Sequence, residues 1–218
     1  MITTGTRPQT DNIPSTEVID LSTGKTFNVP SFSRTCAATG GLLDGLPLVC
    51  GGYDDDQIHS INKEESKFLG HLSVRRWFAA SVVLSNNTLW VTGGLDNSWR
   101  HKTTELVTKE GKTSKGPDLP LALSRHAIVA LNSGVFILIG GFSDDGYSSA
   151  TYFYEEKKGW RPGPNLKNAR CFHAAGVLTD RVSTKQYIVA VGGVDAKSSV
   201  EYLEYPGSNE WMQGKPTH

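Results

Sequence analysis

An apolar run that ends in two glycines occurs four times along this chain of 218 residues. The glycine pairs are Gly51-Gly52, Gly93-Gly94, Gly140-Gly141 and Gly192-Gly193. Successive pairs lie 42, 47 and 52 residues apart. Similar units at a spacing of this size indicate stacked supersecondary repeats and not one irregular domain.

Each apolar run predicts a strand that is buried on both faces and stops abruptly. Four or five mostly β-branched residues before the glycines are typical of such a strand. Paired glycines allow positive φ and a close approach of neighbouring backbone. Acidic residues follow each pair and predict an exposed loop: Asp54, Asp55, Asp56, Asp96, Asp144, Asp145 and Asp195.

Between the glycine pairs, the sequence predicts four short strands and two hairpins in each repeat. We expect a flexible N-terminal lead-in at residues 1–15 and one repeat domain at 16–218. This domain divides into a half repeat at 16–33 and repeats at about 34–72, 73–120, 121–166 and 167–218. The half repeat contains the third and fourth strands of its unit. Four short strands for each repeat are typical of the blades of a β-propeller.

Aligning the repeats on the glycine pairs reveals further columns of residues. An aromatic column, expected in the core between blades, contains Phe27, Phe68, Trp160 and Trp211, with Thr113 in the second repeat. An arginine column contains Arg34, Arg76 and Arg170, with Leu123 in the third repeat. Three positions later stand Ala37, Ala79, His126 and His173.

The arginine column allows two interpretations. The arginines could line a mouth of the propeller as a ring of cations, or each could bind backbone carbonyls or a carboxylate of the next blade. Because the position repeats, we favour the structural interpretation, and we extend it to His126 and His173.

The glycine pairs, the later aromatic residues and the Arg-x-x-His of Arg170 and His173 together resemble the kelch motif. The aromatic residues are Tyr152, Tyr154 and Trp160 in the third repeat, and Tyr202, Tyr205 and Trp211 in the fourth. The resemblance covers about residues 16–216, and the stretch ATGGLLDG before PLVCGG is similar to divergent invertebrate kelch proteins. It implies an all-β, kelch-type β-propeller of four-stranded antiparallel blades.

Kelch propellers usually contain five to seven blades, whereas this sequence contains about four and a half repeats. We therefore expect an incomplete or open ring. Either the chain is a fragment of a longer protein, or it is an open array that self-associates through its blade edges.

Composition excludes some classes of partner. The 22 basic and 22 acidic side chains give a net charge of zero, which provides no electrostatic reason to expect nucleic acid or an anionic membrane. No apolar run approaches the ~18–20 residues of a membrane helix. The N-terminus is polar and does not resemble a signal peptide, so we expect a cytoplasmic protein, or an extracellular one if the true start is missing.

No catalytic, cofactor-binding or metal-binding residue is predicted. The three aspartates at 54–56 lack the interleaved ligands of a calcium loop. Cys171 and His173 share a strand face but have no visible third partner, and no nucleophile elbow, phosphate loop or zinc spacing occurs.

The sequence favours a protein-interaction scaffold or adaptor, in which the loops after the buried strands bind a partner protein. The candidate partner-binding residues are Tyr53, Asp54, Asp55, Trp99, Arg100, Asp144, Asp145, Tyr147 and Asp195. Two alternatives stay open. One is an oxidase-like protein of the galactose-oxidase type or a secreted glycan-binding kelch protein; the oxidase would need a tyrosine–cysteine pair and two histidines at the axis. The other is a structural repeat without a dedicated site.

Overall fold

The four glycine pairs lie at the ends of strands in four separate four-stranded sheets. The computed structural model describes residues 2–5, 15–19, 26–29, 37–53, 55–62, 64–131 and 134–216, with side chains from residue 37 onward. All the regular structure in these ranges is β-strand, and the strands within each sheet are antiparallel. The prediction of an all-β fold of four-stranded blades is confirmed.

A three-stranded sheet precedes the four blades. It contains β1 (Ile2–Gly5), β2 (Ser15–Ile19) and β3 (Thr26–Val29), in that order. β2 and β3 lie at the half repeat. β1 pairs with β2, so part of the segment expected to be a flexible lead-in is a strand. The edge of β2 offers unpaired backbone groups, which explains why an extended segment pairs with it.

Each blade contains four consecutive main strands. Blade 1 has β4 (Thr39–Leu43), β5 (Leu46–Gly52), β6 (Asp55–Ile61) and β7 (Ser66–His71). Blade 2 has β8 (Ala80–Val83), β9 (Leu89–Thr92), β10 (Thr104–Val107) and β11 (Thr113–Lys115).

Blade 3 also carries a small hairpin between its second and third main strands. Its strands are β12 (Ala127–Ala130), β13 (Val135–Ile139), the hairpin β14 (Phe142–Ser143) and β15 (Gly146–Tyr147), β16 (Thr151–Glu155) and β17 (Gly159–Pro162). Blade 4 has β18 (Ala174–Thr179), β19 (Gln186–Val191), β20 (Val200–Tyr205) and β21 (Met212–Gln213).

The first strands of successive blades lie side by side. β4 contacts β8, β8 contacts β12, and β12 contacts β18. First strands that neighbour one another in this way surround a common axis, and the remaining strands of each blade lie progressively farther from it. The sheets therefore form an open, propeller-like arrangement of blades.

A ladder of backbone hydrogen bonds joins the blades near this axis. Phe78 N donates to Ala37 O (3.0 Å), Arg125 N to Phe78 O (2.8 Å), and Phe172 N to Arg125 O (3.0 Å). Each of the four residues has a positive φ, between 55° and 65°. This backbone conformation is costly for a residue with a side chain, so its recurrence in every blade marks a constraint of the repeat. We call these four positions the axial ladder.

The strands before the glycine pairs form the core, as predicted. Leu89, Trp90 and Val91 of β9 are fully buried, as are Ile137 and Leu138 of β13. Apolar side chains from neighbouring blades pack together, and one cluster joins blade 1 to blade 2 while another joins blade 3 to blade 4. All eight glycines of the pairs have positive φ, which confirms the reason given for them.

In blades 3 and 4, the tryptophan of the aromatic column packs against the preceding blade. The Trp160 indole donates from Nε1 to the carbonyl of Asp118 (2.8 Å), and that of Trp211 donates to the carbonyl of Pro164 (2.9 Å). Each indole thus binds the blade before its own. The expected column side chain of Phe27 lies outside the described part.

Phe68 departs from the column, because its side chain is 49% exposed. The prediction that it belongs to the core between blades is wrong. β6 and β7 pair with a register shift between Ile58 and His59. A shift of one residue turns the following side chains to the opposite face of a sheet, and Phe68 consequently lies against His59 and His71 on the surface.

Candidate partner-binding face

The loops that follow the glycine pairs share one face with the connections that lead into each blade. Isolated bridges join the two sets: Trp77 pairs with Leu95, Ser124 with Phe142, and Cys171 with Val194. The alternation of antiparallel strands explains the arrangement, since the second loop of a blade and the connection to the next blade fall at the same end. We call this surface the glycine-pair face.

The glycine-pair face carries several of the exposed large apolar side chains. They are Tyr53, Trp99, Tyr147, Phe172 and Val194. Trp99 is the most exposed of them, at 75%. Large exposed apolar patches are typical of interaction surfaces, whereas single scattered apolar side chains are common on any protein surface.

The first of the predicted loops is shorter than expected. Tyr53 is exposed and packs its ring on Trp77 (5.1 Å between centroids). Asp55 and Asp56 were expected in an exposed loop, but they begin β6 and are half-buried. Asp55 Oδ1 accepts from Gln57 N, and Asp56 Oδ1 lies 2.8 Å from His71 Nδ1. These local partners allow acidic side chains at the start of a strand. Asp54 lies outside the described residues.

The loop that carries Trp99 is held in shape by an aspartate. Asp96 Oδ1 accepts from the amides of Ser98 (2.7 Å) and Trp99 (2.8 Å), and Oδ2 lies 3.2 Å from His101 Nε2. Burial alone would raise the pKa of Asp96, but the two amides and His101 hold that pKa below its usual range. The indole of Trp99 is therefore presented by an ordered turn.

An ion pair connects this loop to the hairpin of blade 3. Arg100 NH1 donates to Asp144 Oδ1, and the Arg100 guanidinium carbon lies 4.6 Å from the centroid of the Phe142 ring. Phe142 in turn packs on Tyr147, with 5.2 Å between the centroids. The structure therefore brings together four of the predicted loop residues, Trp99, Arg100, Asp144 and Tyr147. Asp145 and Asp195 are exposed on the same face.

An arginine that sequence inspection missed lies among aromatic rings from three blades. The guanidinium carbon of Arg125 is 4.5 Å from the centroid of Phe78, 5.0 Å from that of Phe172 and 5.6 Å from that of Phe142. Phe78 and Phe172 also meet edge to face, with centroids 5.1 Å apart. We call Phe78, Arg125, Phe142 and Phe172 the axial mouth. The alignment did not indicate this role, because the residue type varies two positions after the arginine column.

The arginine column itself is structural, as interpreted from the sequence. Arg76 is buried; its Nε donates to Glu105 Oε1 (2.9 Å), and its NH1 donates to the carbonyls of Gly93 and Thr103 (both 2.8 Å). The interpretation placed these partners in the next blade. They belong instead to the blade that Arg76 enters, because the guanidinium spans the ends of β9 and β10. Glu105 also accepts from Ser73 N (2.7 Å), which fixes the incoming connection.

Blade 4 repeats this arrangement. Arg170 NH2 donates to Glu201 Oε1 (2.6 Å), and NH1 donates to the carbonyl of Gly192 (2.9 Å). Glu201 accepts further bonds from the amides of Lys167 and Asn168. Burial would raise the pKa of Glu201, but these donors together lower it.

Blade 3 replaces the ion pair by two other side chains. Leu123 stands in the arginine column, and Tyr152 occupies the register position of Glu105, opposite the residue two before the first glycine. Leu123 is buried in a cluster with Leu119 and Leu138, and Tyr152 packs against that cluster. The same fold position therefore accepts either a buried ion pair or an apolar pair.

The histidines three positions after the arginine column are also buried. His126 Nε2 lies 2.9 Å from Thr92 Oγ1, and the Thr92 hydroxyl donates to Ala80 O, so the histidine N–H donates to Thr92. In blade 3 the residue that corresponds to Thr92 is Ile139, whose side chain cannot accept a hydrogen bond from His173. Neither ring nitrogen of His173 has a hydrogen-bond partner in the described part of the chain.

Burial keeps both histidines neutral. It lowers the pKa of His126 to about 3, with a further contribution from His173. It lowers the pKa of His173 to about 4, and the charge of Arg170 acts in the same direction. Both values lie below the ordinary 6.5 of the unfolded chain.

Acidification is consequently expected to destabilise the protein. Between pH 7 and pH 5 the unfolded chain takes up protons on these histidines while the folded chain does not, so each histidine removes about 2 kcal/mol of stability. His173→Phe should remove its share of this pH dependence without losing a hydrogen bond. Urea unfolding at both pH values measures the effect. His71→Phe is the control, because His71 is exposed; a His173→Phe variant with the parent's full pH dependence would contradict the prediction.

The described residues offer little for metal or thiol chemistry. No group of three or more His, Cys, Asp or Glu side chains among them could hold a metal ion. Burial, assisted by the charge of Glu105, raises the pKa of Cys50 to about 12, so the thiol stays protonated. Burial also raises the pKa of Cys171. No helix that could span a membrane occurs in the described ranges.

Comparison with known proteins identifies the architecture. No family model matches the chain, and no curated protein sequence matches it. Solved structures with the same architecture include YjhT, with a TM-score of 0.77 and 13% sequence identity over 93% of this chain and 77% of that chain. The fold is propeller-like. At 13% identity the likeness to YjhT concerns the fold alone.

Proposed function

We propose that this protein is a kelch-type interaction module whose glycine-pair face binds a partner protein. The observation that carries the proposal is the grouping of exposed aromatic side chains, with Trp99, Tyr147 and Phe172 on one face. Tryptophan, tyrosine and arginine are the residues that most often dominate binding energy in protein interfaces. The proposal includes no catalytic residue and no cofactor.

The fixed conformation of the loops supports the same proposal. Asp96 fixes the turn that presents Trp99, and the Arg100–Asp144 pair links the loops of blades 2 and 3. A surface that is ordered before binding loses less conformational entropy when the partner binds. We also propose a cytoplasmic location, with which the buried, free thiols of Cys50 and Cys171 are compatible.

A differential capture experiment tests the proposal. The tagged protein and a Trp99→Ser/Tyr147→Ser variant are used to purify partners from an extract, with quantification by mass spectrometry. We expect the specific partners of the parent to decrease about tenfold with the variant, because two exposed anchors are removed.

The control variant is Leu178→Ser/Met212→Ser, which replaces two apolar side chains exposed outside the glycine-pair face. It should keep the partners of the parent. If both variants capture the same partners in the same amounts, the glycine-pair face is not the binding surface. Thermal unfolding of all three proteins shows that the substitutions leave the fold intact.

A further inference from the structure

Among the described residues, no opposite charge lies beside the guanidinium of Arg125. Four other arginines, Arg76, Arg100, Arg161 and Arg170, each lie within hydrogen-bond or ion-pair distance of a carboxylate. Arg125 pairs with no carboxylate among the described residues. Its Nε is buried without a hydrogen-bond partner, and its NH1 makes one long contact, 3.5 Å to Ser124 Oγ.

An unpaired, half-buried guanidinium is unfavourable in the free protein. Removing a cation from water costs free energy unless an opposite charge or hydrogen-bond acceptors replace the water. The three phenylalanines of the axial mouth compensate in part through cation–π contacts. They provide no acceptor for the N–H groups, so the donors at the edge of the guanidinium remain available.

From this geometry we infer that Arg125 anchors a carboxylate site at the axial mouth, and that the ligand is a single acidic side chain of the partner protein, flanked by an apolar residue. This inference rests on the proposed function and goes further by naming the chemistry that is recognised. Aromatic rings from blades 2, 3 and 4 hold the guanidinium in place, and its planar edge matches the two oxygens of a carboxylate.

The surroundings of Arg125 define the ligand more closely. Phe172 is 53% exposed and offers an apolar surface beside the guanidinium. Asp145 and Asp195 are exposed on the same face, and Arg100 already pairs with Asp144. The carboxylates of Asp145 and Asp195 repel a ligand with several negative charges, such as a phosphorylated peptide or a nucleic acid. They favour one carboxylate with basic residues near it.

Two synthetic peptides provide the probe: acetyl-Lys-Phe-Glu-Leu-Lys-amide and the same peptide with Gln in place of Glu. Binding is followed through the backbone amide NMR signals of Phe78, Arg125 and Phe172, which report directly on the axial ladder. We expect the Glu peptide to bind the parent about tenfold more tightly than the Gln peptide. Arg125→Gln should abolish this preference, and Arg125→Lys, which keeps the charge without the planar edge, should reduce it.

Arg161→Gln is the matched control. Arg161 also stacks on an aromatic ring, with its guanidinium carbon 4.2 Å from the Phe153 centroid, but it is paired with Glu155. This variant should keep the full preference for the Glu peptide. Because amide spectra reveal whether each variant is folded, loss of structure is distinguishable from loss of the site.

Equal binding of the Glu and Gln peptides to the parent, or an undiminished preference in Arg125→Gln, would overturn the inference. Phenylacetate or phenyl phosphate serves as a second probe. Tighter binding of either than of the Glu peptide would overturn the assignment to an acidic side chain. The proposed function is tested separately: if Trp99→Ser/Tyr147→Ser loses the captured partners while the two peptides bind equally, the interaction face stands and the carboxylate site fails.

Discussion

Gly140→Ala is expected to destabilise the protein by about 3–5 kcal/mol. Gly140 has a φ of 56°, and a Cβ added there would lie 2.6 Å from the carbonyl oxygen of Arg170 and 3.1 Å from His173 Cε1. The Arg170 carbonyl cannot move away freely, because it accepts a hydrogen bond from Gly141 N (2.8 Å). The substitution thus combines backbone strain with a clash between blades 3 and 4.

Gly159→Ala separates these two causes. Gly159 belongs to the same blade and has a φ of 79°, but a Cβ added there meets no atom within 4 Å. Only the strain of a positive φ remains, which costs about 1–2 kcal/mol. Urea unfolding of both variants gives the comparison. If Gly140→Ala is no more destabilising than Gly159→Ala, the close contact between blades 3 and 4 at Gly140 is not present in solution.

Glu105→Gln is the second large effect that we expect, with a loss of about 3–5 kcal/mol. Glu105 and Arg76 are both buried, and neutralising the glutamate leaves the guanidinium in the interior without its counter-charge. Glu110→Gln in the same blade is the control. Glu110 is exposed, and its replacement should change stability by no more than about 0.5 kcal/mol.

Blade 3 suggests how the loss could be reversed. The double variant Arg76→Leu/Glu105→Tyr gives blade 2 the residues that blade 3 has naturally, Leu123 and Tyr152. It leaves no buried charge, and apolar replacement of a buried ion pair is often neutral or better. We therefore expect the double variant to be more stable than Glu105→Gln. A double variant that is less stable than the single one would show that the two blades do not share interchangeable positions.

The parts of the fold that sequence could predict are those with a local signal. The glycine pairs and the apolar runs before them correctly predicted buried strands, since a continuous apolar run and a positive φ are properties of short segments. That Arg76 and Arg170 bind backbone carbonyls and a carboxylate followed from the repetition of one position in successive blades, but the blade that supplies these partners was predicted wrongly.

The rest depends on contacts between distant residues. The axial mouth could not be predicted, because Phe78, Arg125 and Phe172 come from three blades and meet only when those blades stack. Phe68 faces outward because of a register shift between β6 and β7, and no residue type in the sequence indicates that shift. Asp55 and Asp56 begin a strand despite their charge, because partners within the same sheet bind them.

The axial ladder has a consequence for which side chains the surface around the axis can carry. At Ala37, Phe78, Arg125 and Phe172 the main chain alone makes the bonds between blades. Asparagine and aspartate adopt this conformation most readily, and β-branched residues adopt it at the greatest cost. Four positions, one for each blade, can therefore be varied among residue types other than the β-branched ones while the bonds between blades are kept, which allows the chemistry of this surface to be redesigned.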